Sequence, residues 1–125
     1  KVKCANCNNQ NFIPLNEKII DDHLRGKQTV GTYAIDADDS CKFIACDFDG
    51  KDWEIAATSY QKAGEEIGIQ VAIEKSRSGN GAHAWVFFSQ KVEARIARQL
   101  GTVILSKAQE ICHTIKFESF FSYRS

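Results

Sequence analysis

Two periodicities divide the chain. Thr29 to Ile35, Cys41 to Phe48, Ile69 to Glu74 and His83 to Phe88 are short runs rich in apolar, β-branched and aromatic residues, bounded by turn formers, which is the pattern of strands. Elsewhere apolar residues recur every three or four positions. Trp53, Ala56, Ala57, Tyr60, Gly64 and Ile67 do so in one segment, and Val92, Ile96, Leu100, Val103, Ile104, Ala108 and Ile111 in another, as amphipathic helices require. Asp52 and Ser89 stand where their N-caps belong, and Gly68 where the first of them would stop. Asp36 to Ser40 reads as a turn, and Ser76 to Ala82 as a glycine-containing turn that joins the last two strands into a hairpin. A shorter helix is expected from Pro14 to Leu24, capped by Asn16, facing inward through Ile19, Ile20 and Leu24, and ended by Gly26. Ile115 to Tyr123 opens as a further strand. The expected fold is α/β of the α+β kind: a central antiparallel or mixed sheet covered by helices over 52–67 and 90–113.

With 125 residues, 43% hydrophobic and 26% charged, the chain can bury one core and is too apolar for a disordered segment. Its longest apolar run, Ala84 to Phe88, falls far short of the roughly 20 residues that cross a bilayer. No signal-peptide pattern opens it, so no membrane is expected as a partner and a cytoplasmic location is the default. The chain starts at Lys1 and lacks Met, so a piece of a longer polypeptide is expected.

Acidic and basic residues cancel at 16 each, which removes the simplest argument for nucleic acid, a strongly basic domain. Their distribution is uneven. Asp36, Asp38, Asp39, Asp47, Asp49, Asp52 and Glu54 crowd one stretch, whereas Lys75, Arg77, Lys91, Arg95, Arg98 and Lys107 face a single acid, Glu93, in a later one. A cation-binding region beside an anion-binding one has this appearance, and so do two solvated faces. Five cysteines, at positions 4, 7, 41, 46 and 112, argue against a disulfide framework. Cys4 and Cys7 have the two-residue spacing that lets two thiolates grip one tetrahedral metal. His23 is the nearest candidate for a third ligand and Cys41 the next. Redox chemistry or two unligated thiols fit the same spacing.

Two constellations carry chemistry. In Ile44-Ala45-Cys46-Asp47-Phe48-Asp49-Gly50, strand geometry sends Asp47 and Asp49 to one face and Phe48 to the other. Two adjacent carboxylates repel, and a divalent cation offsets that repulsion, since Mg²⁺ is held by one or two carboxylates together with substrate phosphates. Acids at a strand end in solvent are the plainer alternative. In Glu74-Lys75-Ser76-Arg77-Ser78-Gly79-Asn80-Gly81-Ala82-His83-Ala84-Trp85, Gly79 and Gly81 let backbone approach an anion, while Lys75, Arg77, the serine hydroxyls and His83 offer donors to phosphate. A strand follows, so this is neither a Walker A loop nor a dinucleotide fingerprint. An ordinary hairpin turn accounts for the glycines equally well.

The order of acidic pair on a strand, covering helix, strand, glycine turn and His on a strand resembles the archaeo-eukaryotic primase superfamily. It is most similar to the primase domain of TOTE conflict systems in mobile elements and of related helicase-primase proteins. Cys4 to Cys7, His23 to Gly26, Cys41 to Asp49 and Ser76 to Phe88 carry the resemblance, which spans most of the chain. It implies a partial primase-polymerase catalytic domain over 29–125, preceded by a zinc knuckle over 1–28. It implies Mg²⁺ or Mn²⁺ on Asp47 and Asp49, and a nucleoside triphosphate held by Ser78 and His83, with Arg77, Gly79 and Gly81 in the same cradle. It further implies zinc on Cys4, Cys7, His23 and, most weakly, Cys41. The implied activity is metal-dependent addition of nucleotides to a 3′-hydroxyl on a single-stranded or primed DNA template, with a helicase or other domain on the same longer protein. Relatives continue after the long helix with a segment resembling Ser-Tyr-Asp-Arg-Leu-Phe-Pro-Asn, whose acid can complete the metal site. Here Ser119 is followed by Phe120, Phe121, Ser122, Tyr123, Arg124 and Ser125, and Glu118 does not occupy that place. A truncated core, a catalytically inactive nucleotide- or nucleic-acid-binding module and a metal-dependent nuclease therefore stay open beside the polymerase.

Overall fold

The structure is a computed structural model and describes residues 8, 9, 11, 13–113 and 115. The chain divides into two compact units, Lys1–Thr32 and Tyr33–Ser125. In the first, helix α1 spans Glu17–Leu24, and its N-cap Asn16 accepts the Ile19 N–H through Oδ1 at 3.0 Å, as a short polar side chain at that position should. Asp22 is its one buried residue. Lys18 and Lys27 both reach its carboxylate, and their hydrogen bonds hold that carboxyl below the usual range. Gly26, at φ 71°, turns the chain after the helix, a conformation that only glycine adopts freely.

The second unit contains β1 (Ser40–Asp49), α2 (Trp53–Glu66), β2 (Ala72–Lys75), β3 (Gly81–Glu93) and α3 (Ala94–Ile111). The three strands form an antiparallel sheet in the order β1-β3-β2. Ile44, Cys46 and Phe48 alternate inward on β1, as do Ala82, Ala84 and Val86 on β3. Tyr60 of α2 meets Phe48 edge-on at 5.6 Å, and Ala97, Ile104, Leu105 and Ala108 of α3 join the same core. Both helices therefore cover one face of the sheet, and among the described residues of this unit the other face carries no helix. Among the described residues no helix is long and apolar enough to cross a membrane.

Four expectations are corrected. Thr29 to Ile35 is not a strand: it pairs with no other strand among the described residues, although the outer edge of β1 is unpaired there. Asp52 takes the N-cap position of α2, yet its side chain makes no capping hydrogen bond. Ser89 does not start the long helix. Ser89 to Glu93 extends β3 instead, and after an irregularity in which two residues of β1 span five of β3, Val92 and Glu93 pair with Cys41 and Ser40. Finally, α3 buries Ala94, Ala97, Gly101, Ile104, Leu105 and Ala108, while Ile96, Val103 and Ile111 of the anticipated stripe are exposed. Ala94, Ala97, Gly101 and Ala108 let the helix axis approach the core closely, and Ile104 and Leu105 fill the rest of the inner face. The strand expected from Ile115 lies outside the described residues, apart from Ile115 itself, which is buried.

Two features of this core lead to measurable outcomes. A Cβ on Gly64 would lie 2.5 Å from Val71 Cγ2 and 3.0 Å from the Ile69 carbonyl oxygen. Alanine raises helix propensity by about 1 kcal/mol. Overpacking costs about 1–3 kcal/mol and wins, because one of the two obstacles is backbone. Gly64→Ala should therefore lower the thermal midpoint by several degrees in a melting experiment. Separately, burial pushes the Cys46 thiol up to about 11, and burial also raises the Tyr60 phenol that bonds it. Between the ordinary thiol range and pH 11 the unfolded chain has lost the Cys46 proton while the folded chain keeps it, so stability falls as pH rises. Urea unfolding at pH 8 to 11 should show this decline, and Cys46→Ala should make it shallower, leaving the part contributed by the buried Cys41 thiol.

Candidate active site on the open sheet face

Strand register builds the site. Asp47 of β1 and Glu74 of β2 are both cross-strand partners of His83 on β3, so one row of three side chains crosses the sheet. Parity puts that row on the open face. Phe48 beside Asp47 is 2% exposed, and Ala82 and Ala84 on either side of His83 are buried, whereas Asp47 and Asp49 point to solvent. Asp47 Oδ1 lies 3.6 Å from His83 Nε2, and Glu74 Oε2 lies 3.4 Å from Nδ1. The same Glu74 oxygen accepts the Trp85 indole N–H at 2.9 Å. His83 Nδ1 is itself buried and makes no well-formed hydrogen bond among the described residues, so the carboxylate at 3.4 Å is its nearest polar neighbour across β2.

Asp49 sits one row further, opposite Gly81. A Cβ at Gly81 would lie 2.6 Å from Asp49 Oδ1 and 2.7 Å from the Phe48 carbonyl oxygen. The glycine is therefore a requirement of space: it lets the Asp49 carboxylate lie across the neighbouring strand. The preceding loop is closed by Ser76 N–H to the Gly81 carbonyl at 2.9 Å and by Gly79 N–H to the Ser76 carbonyl at 2.9 Å, with Gly79 at φ 78°. Ser78 Oγ lies 3.1 Å from Ser76 Oγ and accepts the Asn80 N–H at 3.3 Å. Arg77 is exposed at the loop tip and enters no ion pair among the described residues. Thus Asp47, Asp49, Gly81 and His83 adjoin on one face, with Arg77, Ser78 and Gly79 in the loop at that end of the hairpin.

Other expected donors and acids do not assemble there. Lys75 is one residue out of phase with Glu74. Its ammonium lies 5.7 Å from the Trp53 ring centroid at the start of α2, on the helix side of the sheet. The acidic run is split by β1, whose ten residues span about 30 Å. Asp36 and Asp38 lie at the far end and bind Lys91 at 2.7 and 3.4 Å. The Ser40 hydroxyl holds the Asp38 carboxyl below its usual range, and Asp36 raises Lys91. Arg95 pairs with Glu93, and Lys107 with Glu66, so the basic stretch is not one patch either.

Glu74 is the residue that sequence reasoning left without a role. The signal was present: once the turn closes Ser76 onto Gly81, antiparallel pairing puts Glu74 opposite His83. Of the expected zinc ligands, Cys4 and Cys7 lie outside the described residues. His23 is exposed on α1, and its Nδ1 accepts the Val30 N–H at 3.2 Å, so in the neutral ring the proton is on Nε2. Cys41 is buried in the core of the second unit, where burial pushes its thiol up. Among the described residues no three His, Cys, Asp or Glu side chains form a ready-made metal cage.

None of the curated proteins matches this chain. The family model for the archaeo-eukaryotic primase domain of the TOTE conflict system does, over residues 1–122. That match takes in both strands of the Asp47–His83 pair and the loop between Glu74 and Gly81, and on it the chain belongs to the TOTE conflict system archaeo-eukaryotic primase domain family.

Proposed function

We propose that the open face transfers nucleotides to a 3′-hydroxyl on a nucleic-acid template, with Asp47, Asp49 and His83 at its centre. The observation that carries this reading is the row itself: a carboxylate pair on one strand with an imidazole directly opposite on the next. Family membership supports a primase-like nucleotidyltransferase, and metal use, substrate and template are the parts proposed here.

Two carboxylates with all-oxygen donors suit Mg²⁺ or Mn²⁺, which complete their coordination with substrate phosphates and water and need no protein cage. When bound, such an ion neutralises phosphate charge and activates the attacking hydroxyl. The chain's own residues do the rest. His83 donates a ring N–H to a phosphate oxygen. Glu74, fixed by the Trp85 indole, keeps the imidazole from rotating out of the row. Arg77 adds positive charge at the loop tip, and Gly81 keeps the space above Asp49 clear. No side chain in the row is placed as a nucleophile, so catalysis here is positioning and charge neutralisation.

Incorporation of labelled nucleotide into a primed template tests the reading. Asp47→Asn and Asp49→Asn should each reduce it by about 10²–10³-fold, with the melting temperature unchanged because both side chains are exposed. Nucleotide binding without incorporation in the wild-type chain would return the inactive binding module, and degradation of labelled DNA would return the nuclease. For Glu74, removing the carboxylate that lies beside His83 Nδ1 predicts a rise of roughly 2- to 10-fold in nucleotide KM for Glu74→Ala. Glu74→Gln, which still accepts the Trp85 N–H, should restore most of it, and steady-state kinetics at varied nucleotide concentration would show the difference.

A further inference from the structure

The open face carries a feature that triphosphate binding leaves unused. Beyond His83, β3 presents Trp85 and then Phe87 on the same side, and Phe43 of β1 is the cross-strand partner of Phe87. The three rings touch. Trp85 and Phe87 are nearly parallel, 6° apart with centroids at 6.0 Å, and Phe43 lies 5.6 Å from Trp85 and 6.4 Å from Phe87. Phe87 is 66% exposed. The core of this unit lies on the opposite face, where Phe48, Cys46, Ala84 and Val86 meet α2 and α3, so these rings are not part of it.

The row is continuous with the candidate active site. His83 meets Trp85 edge-on at 6.1 Å, and Glu74, the neighbour of His83, anchors the Trp85 indole. We propose that Phe43, Trp85 and Phe87 form a stacking surface for the bases of a single-stranded nucleic acid, leading the strand toward Asp47 and His83. Three properties select this occupant. Flat rings in mutual contact match flat bases, and such stacking tolerates any sequence because every base has a π-face. Three rings offer more area than the single base of an incoming nucleotide covers. Three charged side chains at the His83 end of this face, Asp47, Asp49 and Glu74, are acidic, whereas Lys91, of the same parity farther along β3, is basic and pairs with Asp36 and Asp38. Those three carboxylates disfavour a second copy that would bring two such rows together, and a strand fits the rings with its bases inward and its phosphates turned away from the acids.

The proposal rests on the nucleotidyl-transfer reading only for where the strand leads, and the stacking is measured without turnover. Phe87 is the residue to change, since its exposure leaves folding unaffected. Affinity for a short fluorescein-labelled oligodeoxythymidylate, read by anisotropy across a salt series, should fall on the order of tenfold in Phe87→Ala and in Phe87→Leu, and return in Phe87→Trp. The slope of log affinity against log salt should stay constant, because no phosphate contact is removed. Nucleotide KM on a primed template should not change. Equal oligomer affinity in all variants overturns the proposal, as does full rescue by leucine. So does a raised nucleotide KM with unchanged oligomer affinity, or a wild-type dimer that Phe87→Ala dissociates while affinity stays the same. If Asp47→Asn retains incorporation, the nucleotidyl-transfer reading fails, and the oligomer measurements still decide the stacking surface on their own.

Discussion

The antiparallel register of β1 against β3 is the constraint from which the rest of the second unit follows. A strand has a period of two, so a slip of one residue would turn Ile44, Cys46 and Phe48 to solvent and drive Asp47 and Asp49 into the core. Each large apolar side chain that lost its burial would cost about 1.5–3 kcal/mol, and each unpaired buried carboxylate more than that. The core therefore determines the position of the acids. Because the same alternation runs through β3, the packing that buries Ala82, Ala84 and Val86 also brings His83 across from Asp47.

The register is pinned at both ends by different physics. At the hairpin end the pin is steric: Gly81 is the one residue type that leaves room for Asp49 Oδ1 and the Phe48 carbonyl oxygen. At the other end it is polar. The Asp39 carbonyl accepts the Ala94 N–H at 2.8 Å, and Lys91 grips Asp36 and Asp38, so the turn before β1 is tied to the junction of β3 with α3. Between them, the irregularity near Phe43 absorbs the extra residues of β3 and rephases Cys41, which would otherwise fall off the buried alternation. These exposed ion pairs contribute little stability individually. Their role is to fix which residues face each other.

Much of this was legible in the sequence because the periodic signals were local. Asn16, the α2 stripe, the Asp36 to Ser40 turn, the hairpin and the outward Asp47–Asp49 pair needed only spacing rules. Thr29 to Ile35 differs from the expectation because alternation describes a strand's faces and says nothing about whether the segment pairs. Ser89 misled because a serine before an apolar period is also what a strand's polar side looks like, and only the pairing of Val92 with Cys41 separates the two. The expected stripe of α3 holds at Leu100, Ile104 and Ala108 and fails at Ile96, Val103 and Ile111, because size was weighed above Ala94, Ala97 and Gly101, which share the contact. Glu74 and the aromatic row were out of reach for a related reason. Their neighbours are set by cross-strand register, which becomes available only when the turn geometry is known.

The exposure of the row completes the argument. Three carboxylates, Asp47, Asp49 and Glu74, lie on one face around a single imidazole, with Asp47 54% and Glu74 59% exposed at the side chain. In water-like surroundings two such charges 4 Å apart repel by only about 1 kcal/mol, whereas the same pair in the interior would repel several times more. An acid-rich site of this kind is compatible with a stable fold only on a face that the helices leave uncovered. The two-layer arrangement supplies that face: α2 and α3 take up the apolar side of all three strands, and the described residues of opposite parity serve polar chemistry near the loop and aromatic surface farther along β3.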